Sequence, residues 1–521
     1  MIGIKEDDAM KKNIITLAAI AAAFSMVSCN KEMATPEGNT EIGAKTVIFA
    51  STEDGMTRTA LEGNDTDGYN VVWTEGDSFK IGEETFILTG GEGTTRGTFE
   101  GAVPADGEYT VYYPSTYNGT DWPASQTYAE GNIAGSPMKA EVTIADGKST
   151  GTMEFKNEGG ILRLTLKLKE GEAARSVKKI VLSSSQLDED VELNCATAVT
   201  LTEEGVPFHI ALPAQDYADM LMTIYDDGSY KCVRSLGTGK TLTVERSLIT
   251  PVSLTAKSWE FFGLCFTASE ASTVSLSKNG GALEYSLNDG EWTEWANNTP
   301  ISMASNDKVY LRLNIGKTWG YNAVFSMTGS LAASGNIMSL VDRTGLSKVI
   351  PFESCFEMLF MECISLTRAP ELPATTLTDY CYFDMFYKCS SLTTAPELPA
   401  TTLANRCYNC MFSDCSSLTT APELPAMTLA EYCYASMFYK CTSLATAPVL
   451  SAPILTSYCY DGMFSGCKKI NSVTCLATDI SATGCLNGWL SSAAATGTIY
   501  VAKGMSGSWA APSRWSIKEI E

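Results

Sequence analysis

The chain has 521 residues, enough for three or four domains with a core each, so it is not a small fold held together by cysteine bridges. Sixty acidic residues stand against 37 basic ones, and the net charge of −23 opposes the phosphate contacts on which nucleic-acid binding depends. Nucleic acid is therefore excluded as a partner.

The first feature in chain order is an apolar run, MKKNIITLAAIAAAFSMVSC, from Met10 to Cys29. Lys11 and Lys12 form a positive start, and Ile14 to Phe24 is too short to span a bilayer comfortably. This pattern predicts an export signal over 1–29, with Met10 as the working start because the acidic MIGIKEDDA before it is unlike a signal. Its end, Met26-Val27-Ser28-Cys29, resembles the lipobox of bacterial lipoproteins, with Met26 in place of the usual leucine. The resemblance implies acylation of Cys29 and attachment to the outer membrane by lipid, with the body exposed at the cell surface; cleavage by an ordinary signal peptidase is the alternative. Residues 30–44 are polar enough to serve as a tether.

From 45 to 257 the text predicts strands: TVIFAS, YNVVWTEGDSFKIG, ETFILTG, GEYTVYYP, GGILRLTLKL and VKKIVLSS alternate or are β-branched, and are broken by Gly, Asp and Asn. Without helical patterns between them, such strands imply antiparallel sandwiches. The strand bearing Trp73, the turn Gly76-Asp77, the return strand and the run Tyr109 to Pro114 resemble the fimbrillin-like proteins of anaerobic gut and oral Gram-negative bacteria. That resemblance implies a surface lipoprotein built from tandem β-sandwiches. It also implies that proteolysis after Arg58 could open a groove for a neighbouring subunit's strand, against the plainer reading of Arg58 as an exposed loop residue.

Residues 258–348 predict a small β domain, with Asn288-Asp289-Gly290 as a hairpin turn. Trp292 and Trp295 beside it are packing residues or, if exposed, platforms for sugar rings.

A 26-residue repeat fills 349–493, and 494–521 reads as a C-terminal cap. Cys355, Cys381, Cys407, Cys433 and Cys459 recur at that period, each followed eight residues later by Cys363, Cys389, Cys415, Cys441 and Cys467; Cys485 continues the series and Ala493 ends it. A fixed period of this length means stacked units, none of which buries its apolar face alone. Cys381, Met385 and Cys389, with Tyr382 and Phe386 beside them, predict one apolar stripe along a short helix. Pro396 and Pro399 force the following stretch to be extended. The expected repeat core also contains Met411, Phe412, Met437, Phe438, Met463 and Phe464.

The cysteines admit three chemistries. On a helix, residues eight apart are separated by about 12 Å of rise, which excludes a bridge within a unit. Bridges between units are conceivable, but a ladder gives each interior cysteine two equivalent neighbours, and buried free thiols are the simpler reading. Zinc needs about four ligands close together; only Cys407 and Cys410 have such spacing, their counterparts being Asp384 and Ser436, and the sole His209 lies in another region. No metal or cofactor is expected.

The motif CYxxMFxxCxSLTTAPELPATTL, with AASGNIMSLVD before the array and CLATDISATGC after it, is similar to the BspA-like leucine-rich repeats of bacterial surface proteins. Members of that family are linked to adhesion. The expected architecture is thus mainly β with an α/β solenoid: tandem fimbrillin-like sandwiches, a small β domain and a leucine-rich-repeat solenoid. With one histidine and no phosphate loop or nucleophile elbow, the chain is expected to be non-catalytic, paired carboxylates remaining the one enzymatic option. It is read as a surface adhesin recognising a host or bacterial surface protein or glycan, or alternatively as a fimbrial tip or accessory subunit. Recognition is expected from residues that vary between copies: Phe383, Asp384, Tyr387 and Lys388; Asn409, Ser413 and Asp414; Ala435, Ser436, Tyr439 and Lys440.

Overall fold

A computed structural model describes residues 45–52, 60–64, 68–128, 136–236, 241–278 and 282–520. The export signal, Cys29, the tether and Arg58 lie outside the described residues.

Where polar and apolar residues alternate, the chain forms half-buried strands. In Met138–Ala145 the pattern buries Met138, Ala140, Val142 and Ile144 and turns their neighbours outward. This strand belongs to an eight-stranded sheet folded over an aromatic core, in which Trp73 meets the rings of Phe99, Tyr113 and Phe155 edge-on at 5.0, 5.6 and 5.9 Å. Lys45–Thr52 runs parallel to Met153–Asn157, with Ala50 opposite Met153, and lies between that strand and Arg96–Ala102. A second layered unit packs Val206–Pro213, Gly159–Leu168 and Ile249–Ala256 against a six-stranded sheet. The buried amide of Gln126 joins strand Ser125–Tyr128 to this unit, donating to the carbonyl of Ala211 at 2.8 Å and accepting from its N–H at 2.9 Å.

The small β domain is held to the second unit by a buried cluster of charge. The Glu284 carboxylate accepts from Arg312 Nε at 2.5 Å and from Arg343 Nη1 at 2.6 Å. Arg312 also donates to the Gly228 carbonyl at 3.1 Å and lies 3.7 Å from the centre of the Trp292 ring. Ser229 Oγ donates to the Arg343 carbonyl at 2.6 Å, closing the junction from the other side.

From Leu264 to Trp515 there is one continuous apolar core, so the small domain and the repeats are packed as a single body. The small domain supplies the first rung. Leu331–Ser334 pairs in parallel with Leu366–Arg368, and Phe325 stacks on Phe360 at 5.0 Å while its N–H reaches the Leu359 carbonyl.

The repeats do not contain the expected helix; no α-helix forms among the described residues. Cys381 to Cys389 is a run of consecutive turns in which every fourth residue is left-handed: Tyr380, Asp384 and Lys388, then Arg406, Cys410 and Asp414, then Tyr432, Ser436 and Lys440. The amides alternate in their partners. Phe383, Met385, Tyr387 and Cys389 donate three residues back within the coil, while Tyr382, Asp384, Phe386 and Lys388 donate to Cys407, Asn409, Met411 and Ser413 of the next. An α-helix satisfies its amides internally; here half of them tie one coil to the next. Each left-handed non-glycine residue costs about 1–2 kcal/mol, offset by these bonds and by two ring ladders inside the stack. Phe360, Phe386, Phe412, Phe438 and Phe464 are stacked at 5.3–5.8 Å, as are Phe356, Tyr382, Tyr408, Tyr434 and Tyr460 at 5.7–6.0 Å. In the first coil Leu359 takes the buried methionine position, and Met358 occupies the left-handed one.

The far end closes with parallel strands Ser472–Cys475, Gly497–Val501 and Trp515–Glu519, over which Trp489, Trp509 and Trp515 are buried.

Candidate binding surfaces of the repeat stack

The repeat cysteines face inward as free thiols, and among the described residues every cysteine is free. Helical rise does not separate Cys381 from Cys389, because no helix forms there. What occupies the thiols is visible instead. Cys389 Sγ donates to the carbonyl of Phe360 at 3.1 Å, Cys415 to Phe386 at 3.0 Å, Cys441 to Phe412 at 3.0 Å and Cys467 to Phe438 at 2.9 Å. The side chain must be small and apolar yet able to donate, which a thiol satisfies. Burial pushes these groups up, Cys467 to about 12 from an ordinary 9.0, so they are not poised as nucleophiles.

Cys410 is half-buried, and its pKa is pushed up to about 12 by burial and by the charge of Asp384. Among the described residues no group of three or more His, Cys, Asp or Glu side chains is gathered around a point where a metal could sit. His209 lies in the second layered unit, paired across the sheet with Arg163.

Trp292 and Trp295 are not sugar platforms. Trp295 is buried and donates to the Thr299 carbonyl at 2.9 Å, while Trp292 lies between Arg312 and Phe261. Both rings are spent on packing.

The variable positions divide. Asn409, Ser413 and Ala435 are buried, and Phe383, Asp384, Tyr387, Asp414, Ser436 and Tyr439 are half-buried, leaving Lys388 and Lys440 as the exposed members of the expected set. Lys388 pairs with Glu362 of the previous coil at 2.8 Å, both in solvent, an interaction worth little by itself. A row at the residue just before each first cysteine was missed. Tyr380, Arg406, Tyr432 and Tyr458 stand one above another, with Arg406 at 4.2 Å from the Tyr432 ring centre and Tyr432 stacked on Tyr458 at 4.7 Å. The row ends at Gly484, where a Cβ would come within 2.3 Å of the Tyr458 ring. The Arg406 guanidinium thus lies between the Tyr380 and Tyr432 rings, and the Tyr432 and Tyr458 rings are nearly parallel at 5°. The available signal was that this position and the one before it, Asp379, Asn405, Glu431 and Ser457, change between copies while the cysteine that follows does not.

The opposite feature is recessed. The segment Thr-Thr-Ala-Pro-Glu-Leu-Pro at 393–399 and 419–425, which reads Thr-Arg-Ala-Pro-Glu-Leu-Pro at 367–373 and Ala-Thr-Ala-Pro-Val-Leu-Ser at 445–451, lines a trough; Thr394, Thr420 and Thr446 are in register through parallel bridges. Cavities of about 800 and 630 Å³ occupy this trough at successive coils.

No protein-family profile matches the chain. No curated protein matches it either. Among solved structures it is similar to a candidate cell adhesion protein from Bacteroides ovatus, at 14% identity over 42% of this chain and 96% of that one, with a TM-score of 0.26. A candidate cell adhesion protein from Bacteroides fragilis matches at 9% identity over 42% and 97%, with a TM-score of 0.23. A fimbrial protein from Bacteroides ovatus matches at 10% identity over 50% and 55%, with a TM-score of 0.22. At these scores the likeness does not extend to function.

Proposed function

We propose that the chain is a non-catalytic binding protein of the cell surface, held to the outer membrane by a lipid on Cys29. The layered β units serve as its stalk, and the repeat stack, a solenoid of leucine-rich-repeat type, serves as its binding end. One observation carries this reading: from coil to coil the inward residues stay cysteine, tyrosine, methionine and phenylalanine, while outward positions on the same backbone change, as in Tyr380, Arg406, Tyr432 and Tyr458. A scaffold that keeps its core and varies its surface is suited to recognition. The test is retention of beads coated with the full chain on epithelial cells or mucin, alongside protease accessibility on intact bacteria. The reading expects retention above an albumin control and cleavage by external protease; retention equal to the control contradicts it.

A second reading, a fimbrial accessory subunit, is favoured by the placement of Lys45–Thr52 between Met153–Asn157 and Arg96–Ala102. Its removal would leave an open slot in the sheet for another strand. Protease treatment at Arg58 followed by gel and electron microscopy distinguishes the two: ladders and fibres support the subunit, and monomers support the adhesin.

A further inference from the structure

The two ends of the repeat stack are closed differently. In each coil alternate amides donate to carbonyls of the coil that follows, as Tyr460, Gly462, Phe464 and Gly466 donate to Cys485, Asn487, Trp489 and Ser491. At the first coil the small β domain supplies donors: the Cys355 carbonyl accepts from Trp319 Nε1 at 3.0 Å, and the Leu359 carbonyl accepts from the Phe325 N–H at 2.8 Å. After the last coil no coil follows, and the equivalent amides, Leu486, Gly488, Leu490 and Ser492, have no acceptor among the described residues. Trp509 of the closing segment is 7% exposed and packs on Trp489 of this coil at 5.9 Å, and its indole N–H is also without an acceptor. The closing segment thus covers the apolar interior of the last coil and leaves donors unmatched.

The charge at this end has the matching sign. Residues 461–519 carry five basic residues against three acidic ones, in a chain that holds 37 against 60. Lys468, Lys469, Lys503, Arg514 and Lys518 are all exposed, and none is in an ion pair among the described residues. The three carboxylates are taken by neutral donors: Asp461 accepts from Asn487, Asp479 from Ser481 and Glu519 from Ser506. Backbone donors without acceptors, beside unpaired cations, suit a ligand that brings negative charge and acceptors alone. A peptide strand or a neutral sugar brings donors as well, whereas every carbonyl from Cys485 to Ser491 already accepts, either within the coil or from the coil before. A phospholipid surface is entered through exposed aromatic side chains, and Trp489, Trp509 and Trp515 are buried here.

We propose that the open end of the repeat stack binds an acidic glycan, its carboxylate or sulfate groups accepting from the free N–H groups of the last coil and the cations of the closing segment supplying the attraction. The negative charge of the rest of the chain confines such a ligand to this end. This rests on the adhesin reading and names its ligand class. The test is hydrogen–deuterium exchange of the full chain, read by mass spectrometry, with oligogalacturonate, heparin oligosaccharides, neutral cello-oligosaccharides, polyglutamate and phosphatidylglycerol vesicles as separate additions. One or both of the acidic sugars are expected to slow exchange in peptides covering 486–492 at the shortest labelling times; which does so identifies carboxylate or sulfate as the group held. In calorimetric titration with that sugar, a Lys503→Gln, Arg514→Gln, Lys518→Gln triple variant is expected to lose about tenfold in affinity, with its melting temperature unchanged because the three side chains are exposed and unpaired. The proposal is overturned if neither acidic sugar binds, if the neutral sugar binds as well, if only polyglutamate or vesicles bind, if exchange at 486–492 does not slow, or if the triple variant binds like the parent. Should coated beads still adhere to cells in any of those cases, the adhesin reading survives and this assignment alone falls.

Discussion

The thiol of Cys415 donates to the carbonyl of Phe386, 29 residues earlier and one coil away, at 3.0 Å. The same carbonyl accepts the N–H of Cys389 within its own coil, so a single oxygen gathers both the local turn and the next coil. Cys415→Ala removes the donor and leaves a small void, and is expected to cost about 1–2 kcal/mol in urea unfolding. Cys415→Ser keeps a donor at that site and is expected to cost less than the alanine. If serine is worse than alanine, the thiol acts by bulk alone.

Lys388 separates a spiral of turns from a helix. Its φ is 58°, a region where glycine is at ease and alanine is strained. Lys388→Gly and Lys388→Ala both lose the exposed pair with Glu362, so their difference reports the backbone. Glycine is expected to be the more stable by about 0.5–1 kcal/mol. On a helix the order would reverse by about 1 kcal/mol.

Asp384 is half-buried beneath the loop of the coil, and its carboxyl is raised from 3.8 to about 6, first by burial and then by the charge of Glu357. A raised carboxyl holds its proton more tightly in the folded state. Its contribution is thus fully present below pH 3.8 and lost as pH rises through about 6. At pH 7 the charged form is a burden. Asp384→Asn is expected to unfold at a higher temperature than the parent at pH 7, with the gap closing below pH 4. A gap independent of pH contradicts this account.

Arg312 secures the second layered unit to the small β domain. Its guanidinium serves Glu284, the Gly228 carbonyl and the face of Trp292 at once. Arg312→Met leaves Glu284 to Arg343 alone and the carbonyl without its donor, and is expected to cost about 3 kcal/mol. Limited proteolysis should then cut between the second layered unit and the small β domain, where the parent resists; an unchanged digest would show the junction to be held elsewhere.

Much of this architecture was legible in the text. The 26-residue period gave the stack, and alternation in runs such as Met138–Ala145 gave the half-buried strands. The spiral of turns was misread because a stripe at Cys381, Met385 and Cys389 suits a short helix. The warning was its strict four-residue spacing, which a 3.6-residue helix does not hold, together with Asp384, Asp414, Gly462 and Gly466, residue types that tolerate a left-handed backbone. Other features were hidden because they join distant segments. Phe325 completes the phenylalanine ladder from outside the repeat register, and Arg312 reaches the backbone at Gly228, 84 residues away. The trough was written in the Thr-Thr-Ala-Pro-Glu text of 393–397 and 419–423, but only the stacking of coils brings Thr394, Thr420 and Thr446 into register.

The central claim, that binding resides in the repeat stack, is tested most directly by blocking. Beads carrying the full chain are applied to epithelial cells or mucin after incubation with antibody fragments raised against the stack or against the β-sandwich region. The account predicts that stack-directed fragments abolish retention while sandwich-directed ones leave it intact. Retention that survives saturation of the stack, and is lost when the sandwiches are covered, would contradict it.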